Sequence, residues 1–249
     1  YTHDVSGTDD TASSNTAYGF GSLASITTGD NNVAVGRNAG TNLAGGGYNA
    51  LFGSFSGDAL TTGSGNTALG YGSLSSEDGN GKNVAIGYHA LVTQNAGAEA
   101  YNVAVGYSAG EAITTGLYNT VLGGDALKTN IDGYKNTAIG FRALKSFEAD
   151  TSGHGENTAV GSNAGENIST GTGNVAIGKS AIGSGVTTAN DNVAVGLAAG
   201  LSLTSGPRNT LIGAYAGDAL TTGYYNTSLG YQALSSSVSG RNAVAIGYQ

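Results

Sequence analysis

One five-residue phrase, written fourteen times, governs what this chain can become. In the stretch GNTALGYGSL (residues 65–74) an Asn is followed by a β-branched residue, a small residue, a large apolar residue and a Gly. With that Asn as position zero, the phrase recurs at Asn15, Asn32, Asn49, Asn66, Asn83, Asn102, Asn119, Asn136, Asn157, Asn174, Asn192, Asn209 and Asn226, and a fourteenth copy opens at Ala243. Ten of the thirteen steps are 17 residues and the others are 19, 21 and 18. The extra residues fall in TQNAGAEA, SFEADTSGHGE and GSGVTTAND, which are polar and turn-rich. A repeat that accepts insertions at one place has a surface loop there. Such a fixed short period has to be read as a stacked architecture before any other fold is considered.

A unit of 17 residues is too short for a helix pair and suits one coil of a β-solenoid, with short strands and tight turns. The sequence therefore predicts an all-β, parallel β-solenoid of about 14 coils over residues 15–249. Residues 1–14 read as an N-terminal cap or leader, and the last copy breaks off in mid-repeat at Gln249, as in an excised fragment. Stacked at ~4.8 Å, fourteen rungs span about 65 Å. The Asn column (Asn32, Asn66, Asn83, Asn102, Asn136, Asn157, Asn174, Asn192 and Asn226 among them) is expected to form a ladder, each side chain bonding its neighbours or the turn backbone.

Position three is always large and apolar: Val35, Leu69, Ile86, Val105, Ile139, Val160, Ile177, Val195, Ile212 and Leu229. Position one is Thr or Val in nearly every copy. These two positions share a face by the period of two, and position three is expected to fill the coil core. Position two is mostly Ala, but Leu51, Val121 and Leu211 replace it in three copies. A strand apolar on both faces is one buried on both sides. One face packs inside its own coil, and the other needs a cover. Other copies of the chain are the economical source of that cover.

A second pattern lies further along the unit. Position eight is Leu or Ile in seven copies (Leu23, Leu74, Leu91, Leu127, Leu144, Ile182, Leu234) and Gly in six (Gly40, Gly57, Gly110, Gly165, Gly200, Gly217). In all six Gly copies position eleven is apolar: Leu43, Leu60, Ile113, Ile168, Leu203 and Leu220. In the Leu/Ile copies it is mostly polar or Gly, with Ile26 and Phe147 as exceptions. Each coil is expected to hold one pocket filled from either of two backbone positions, since close packing makes filling both, or neither, costly.

The composition removes several classes of function. The formal charge is -8 with Lys+Arg only 9, so the clustered cations that bind nucleic acid are missing. No apolar run approaches the ~18 residues of a membrane helix, so membrane insertion by this segment is not expected. There is no Cys, hence no disulfide and no thiolate metal site. Gly is 44 residues and Pro 1, without a Gly-X-Y period, so the glycines serve turns.

The NTALGYGSL…TTG pattern resembles repeats of phage tail fibres and related surface proteins, often found upstream of a self-cleaving intramolecular chaperone domain. Asn83-Val84-Ala85-Ile86-Gly87 is similar to the NSVAIG-type repeats of trimeric autotransporter adhesin heads. The resemblance covers the chain after residue 14. It implies a homotrimeric, left-handed parallel β-roll whose apolar strands meet around a threefold axis, at an extracellular location on a virion or a cell surface.

Chemistry is sparse in the repeats. His3, His89 and His154 stand alone and far apart, and read as loop residues rather than as a triad or metal site. Asp9–Asp10 and Glu77–Asp78 are the adjacent acidic pairs, read as solvated loops and without the spacing of a calcium loop. No catalytic residue, metal or cofactor is expected. Position five carries an aromatic column: Phe20, Tyr71, Tyr88, Tyr107, Phe141, Tyr231 and Tyr248. Tyr48, Tyr101, Tyr118 and Tyr225 precede the Asn. These rings either cover coil corners and subunit seams or stack on host-surface glycans, with Tyr71, Tyr88, Tyr107 and Tyr231 as the candidate contacts. Arg37, Lys82, Lys128, Lys135, Lys145 and Arg208 are the cations that would flank such a surface. The expected function is a structural, adhesive fibre segment. The alternatives are an ice-binding solenoid, because Thr arrays on solenoids order water, and a carbohydrate-active tailspike.

Overall fold

A computed structural model describes residues 12–149 and 154–248. Most of the expected leader, with His3 and the Asp9–Asp10 pair, lies outside the described residues. The chain is a parallel β-solenoid with one three-residue strand per coil, fourteen strands in all, and no helix among the described residues. It divides into two compact units, residues 1–119 and 120–249. The first holds β1 (Thr16–Tyr18), β2 (Val33–Val35), β3 (Ala50–Phe52), β4 (Thr67–Leu69), β5 (Val84–Ile86) and β6 (Val103–Val105). The second holds β7 (Thr120–Leu122), β8 (Thr137–Ile139), β9 (Thr158–Val160), β10 (Val175–Ile177), β11 (Val193–Val195), β12 (Thr210–Ile212), β13 (Thr227–Leu229) and β14 (Val244–Ile246). Within each unit, strand pairs with strand in sequence order and in strict register. Thr67, Ala68 and Leu69 face Val84, Ala85 and Ile86, and Thr137, Ala138 and Ile139 face Thr158, Ala159 and Val160. The 21-residue step between Asn136 and Asn157 leaves that register untouched, because the insertion is taken up in the loop.

The strand ends on a glycine that no other residue can replace. At position four φ runs from 122 to 139°, and an added Cβ would meet the backbone of the next coil. At Gly87 it would lie 2.2 Å from the Gly106 carbonyl oxygen, and at Gly213 2.2 Å from that of Gly230. Two further bends follow in the left-handed region, at positions six and eight, most of them occupied by residues other than glycine. Each costs about 1–2 kcal/mol for a residue with a Cβ. Full burial of a Leu or Ile returns about 1.5–3 kcal/mol. The two terms nearly cancel at position eight, which explains why Leu and Gly alternate there so freely.

The lumen itself is narrow. Position two (Ala34, Ala68, Ala104, Ala138, Ala176 and their equivalents) and position seven line it, and every Leu or Ile of the position-eight and position-eleven sets except Ile26 and Leu234 is fully buried. The two sets share one space. A Cβ on Gly165 would stand 3.0 Å from Ile168 Cδ1 and 3.0 Å from Leu144 Cδ2, and one on Gly110 2.9 Å from Ile113 Cδ1. Phe147 is accommodated together with Leu144 in the coil that carries the longest insertion, and both are fully buried.

One expectation is corrected here. Position three does not fill the coil core. Leu69, Ile177, Ile212 and Leu229 are exposed, Leu69 by 48%, and Val35, Ile86, Val105, Ile139, Val160 and Val195 are half-buried on the outer face. The reason is volume. Positions one and three must point the same way, and a 17-residue coil has no room inside for two large side chains from every strand. The smaller residue at position two goes in, and the branched pair is left outside.

The shared pocket predicts strong coupling. Gly110→Leu should cost about 2–3 kcal/mol by overpacking against Ile113 and Leu91. Combining it with Ile113→Ser should recover part of that loss. A double-mutant cycle in urea should give a coupling of about 1–3 kcal/mol, and simple additivity would rule out the single pocket.

Candidate functional site

Three features stand out once the coils are stacked: an asparagine ladder, aromatic columns on the outer edges, and one open cleft. The ladder is built at position zero, where a buried side chain with one donor group and one acceptor can serve two coils at once. In the first unit Asn15 Oδ1 accepts from the Asn32 backbone N–H at 2.9 Å, and Asn32 Oδ1 accepts from Asn49 at 3.0 Å. Asn49, Asn66, Asn83 and Asn102 continue the chain of bonds at 2.8–3.1 Å. In the second unit the same bonds run from Asn136 through Asn157, Asn174, Asn192, Asn209 and Asn226 to the Ala243 N–H. The Nδ2 group closes the coil on itself by donating to the carbonyl fourteen residues on, as in Asn32 to Gly46 at 2.8 Å and Asn209 to Gly223 at 2.9 Å. Where an insertion displaces that carbonyl, the pattern changes. Asn83, which opens the 19-residue coil, leaves Nδ2 buried without a partner, and Asn102 gains a bond to Gln94 Oε1 at 2.7 Å.

The aromatic column is real in part. Tyr71, Tyr88 and Tyr107 form one stack with ring centroids 5.4 Å apart and planes within 12° of parallel, capped edge-on by Phe55. His89 lies flat against Tyr88 at 4.0 Å. Tyr231 lies in the second unit, where it stacks on Tyr248 at 5.5 Å. Phe20 and Phe141 also hold position five, and Phe141 carries the Arg142 guanidinium at 5.1 Å. Successive rings turn their faces along the stack toward one another. A sugar that packs on a ring face therefore finds these faces largely occupied in Tyr71 and Tyr88, and meets ring edges.

The cations are also engaged locally. Arg37 lies over Phe55 at 5.6 Å, and Lys128 pairs with Asp125 at 2.8 Å, Lys135 with Glu156 at 3.2 Å and Arg208 with Asp191 at 3.4 Å. Lys82 pairs with Glu99 at 2.5 Å and with the Tyr101 hydroxyl at 3.1 Å. Those two hydrogen bonds hold the Lys82 ammonium above its usual range, and the same contact with Lys82, then Tyr101, lowers Glu99. Apart from the partly buried Lys128–Asp125 pair these are solvent-exposed, and such pairs stabilise little.

The cleft, of about 230 Å³, lies in the second unit between His154, Gly155, Glu156, Thr172, Gly173 and Asp191. It exists because Gly173 interrupts a column of longer side chains. That glycine looked like any other turn residue in the sequence, and only its flanking neighbours Glu156 and Asp191, brought near by stacking, make a recess of it. Among the described residues no group of three or more His, Asp or Glu side chains is arranged to hold a metal ion. A second correction concerns Glu77, read as part of a solvated loop. It is fully buried, and only Asp78 faces solvent. Position eleven is buried in every coil except those that carry Gly185 and Ser237 there, and Glu77 Oε1 accepts from the Asn80 N–H at 3.3 Å.

The ladder sets a measurable cost. Asn174→Ala removes bonds to Asn157, Ala189 and Asn192 and leaves buried partners unpaired, which should cost about 2–4 kcal/mol. Asn174→Asp should cost a similar amount near neutral pH, because its carboxylate would face the Ala189 carbonyl. Chemical denaturation of the whole chain would read both, and a loss below ~1 kcal/mol would show that the ladder is dispensable.

No family model, curated protein or solved structure matches this chain.

Proposed function

We propose that the chain is a non-catalytic, structural and adhesive fibre segment that works outside the cell as a homotrimer, as part of a virion or of a cell surface. The observation that carries this reading is the outer face of the strands. Positions one and three hold no charged residue in any of the fourteen strands: they are Thr, Val or Ala, followed by Val, Leu, Ile, Phe or Tyr. A strand face left to water alternates with polar residues, and this one carries no charge and is mostly apolar. With two such side chains per coil, each unit bares on the order of 500–1,000 Å² of mostly apolar surface, at or above the ~300–600 Å² typical of the largest patch on a monomer.

Sister chains cover that surface at every coil because they carry the same period. This agrees with the trimeric β-roll implied by the resemblance to tail-fibre and adhesin repeats. The adhesive role rests on the edges away from that face, where Tyr, Arg and acidic side chains and the Gly173 cleft are offered to a receptor such as a host-surface glycan. Ice binding gains no support. The position-twelve Thr hydroxyls donate to carbonyls of the next coil, as in Thr27 to Ala44 at 3.2 Å, Thr61 to Asp78 at 3.1 Å and Thr204 to Thr221 at 3.1 Å, instead of standing free to order water.

Light scattering on the eluted protein should give a native mass three times that of the 24.4 kDa chain. Ile86→Lys combined with Val160→Lys places one charge on the outer strand face of each unit, and should reduce that mass to the single chain while leaving the β-rich circular dichroism spectrum. A parent chain that is monomeric at micromolar concentration would refute the proposal.

A further inference from the structure

Position eleven is buried in every coil except those that carry Gly185 and Ser237 there. In two consecutive coils of the first unit it holds Glu77 and Gln94, both fully buried. Gln94 uses both ends of its amide. Nε2 donates to the Thr114 carbonyl, at position twelve of the next coil, at 2.9 Å, and Oε1 accepts from Asn102 Nδ2, at position zero of the next coil, at 2.7 Å. Glu77 occupies the same place one coil earlier, where the residues at the equivalent positions of the next coil are Asn95 and Asn83. Glu77 Oε2 has no hydrogen-bond partner, and neither has Asn83 Nδ2. An ionised carboxylate only accepts. Where Gln94 offers a donor to the carbonyl above it, an ionised Glu77 offers a second acceptor.

We propose that Glu77 is a proton-operated latch between coils. Protonated, its hydroxyl donates to the Asn95 carbonyl and ties the coil opening at Asn66 to the one opening at Asn83, as Gln94 ties the following pair. Ionised, that tie is lost and a buried charge is left without a counter-ion. No cation offers relief, and the carboxylate is held only by the Asn80 N–H at 3.3 Å from Oε1. Leu60 holds position eleven in the coil before and Gln94 in the coil after, and neither titrates. Asp78 on the same turn adds a charge of the same sign, and Lys82, the cation of that coil, is held by Glu99. Burial raises the Glu77 carboxyl above its ordinary value, the hydrogen bonds from Asn80 oppose this, and Asp78 adds to the rise.

The sign follows from linkage. A carboxyl whose folded value lies above its unfolded one binds its proton more tightly in the folded chain. Stability is therefore gained as pH falls through the folded value, is complete below the unfolded value, and is lost as pH rises. Asp58 and Glu148 are also raised by burial, Asp58 despite a hydrogen bond from its own backbone. Asp58→Asn therefore serves as the control for acid stabilisation that does not involve the latch.

The decisive experiment follows thermal unfolding of the full chain from mildly acid to neutral pH, in the parent, Glu77→Gln and Asp58→Asn. Glu77→Gln installs the amide that Gln94 already uses. It should raise the neutral-pH Tm by about 2–4 °C, the size expected of one added hydrogen-bonded pair in a chain of this length. It should also flatten the pH dependence, which Asp58→Asn should largely preserve. Protection factors of the amides over residues 77–95, in which the acid slowing of intrinsic exchange common to both chains is divided out, should rise on acidification in the parent and not in Glu77→Gln. A Glu77→Gln variant that keeps the parent's full pH slope overturns the latch. If that variant folds poorly, the carboxyl carbon of Glu77 followed by NMR in the parent decides, and titration at or below the ordinary glutamate value overturns it as well.

Discussion

A short side chain carrying both a donor and an acceptor, buried where two coils meet, is the interaction on which the rest of the structure depends. The asparagine amide does two separate jobs at once. Its oxygen holds the backbone N–H of the next coil, and its nitrogen closes its own coil across fourteen residues. Aspartate lacks the donor, and serine lacks the reach to do both. Because these bonds lie in the interior, where water does not compete, they have to be made in each coil or the cost of a stranded polar group is incurred. This explains why the Asn holds its place through thirteen consecutive copies while the residues around it vary.

Given the ladder, the remaining geometry is a matter of volume. The interior takes alanine from most strands, with Leu51, Val121 and Leu211 in three of them, and in most coils one large apolar side chain from the far turn. Large strand residues are consequently displaced outward, where they form a continuous apolar surface. Narrowness inside and stickiness outside are thus one fact: a coil short enough to be closed by a single asparagine cannot also bury its own branched residues. An apolar outer strand face follows from the length of the repeat.

Much of the fold could be read from the sequence. The period, the strand after each Asn, the obligate glycine at position four and the either-or pocket at positions eight and eleven all left marks in residue type. The facing of the strand was legible only in hindsight. Two apolar sets alternate there, and neither carries a label for inside, although Ala at position two against Val and Ile at positions one and three was the size signal. Glu77 was misread for a related reason, and Gln94 is buried at the same position. Polar residues in a turn-rich stretch resemble solvent, and only the lumen-facing habit of Leu43, Leu60 and Ile113 at the same position reveals them as buried. The ring stack could be foreseen as a column, since equivalent positions align, but not the way ring faces are used up between neighbours. The recess at Gly173 depended on what stacking brought beside a missing side chain.

Within each unit, hydrogen bonds from one coil reach only the coils directly before and after it, and the register is the same at every step. Adding or deleting a whole coil therefore leaves all other bonds intact. Unequal recombination between copies of the repeat would produce shorter and longer versions that fold by the same rules, so the length of such a protein can drift, or be selected, like the number of links in a measuring chain.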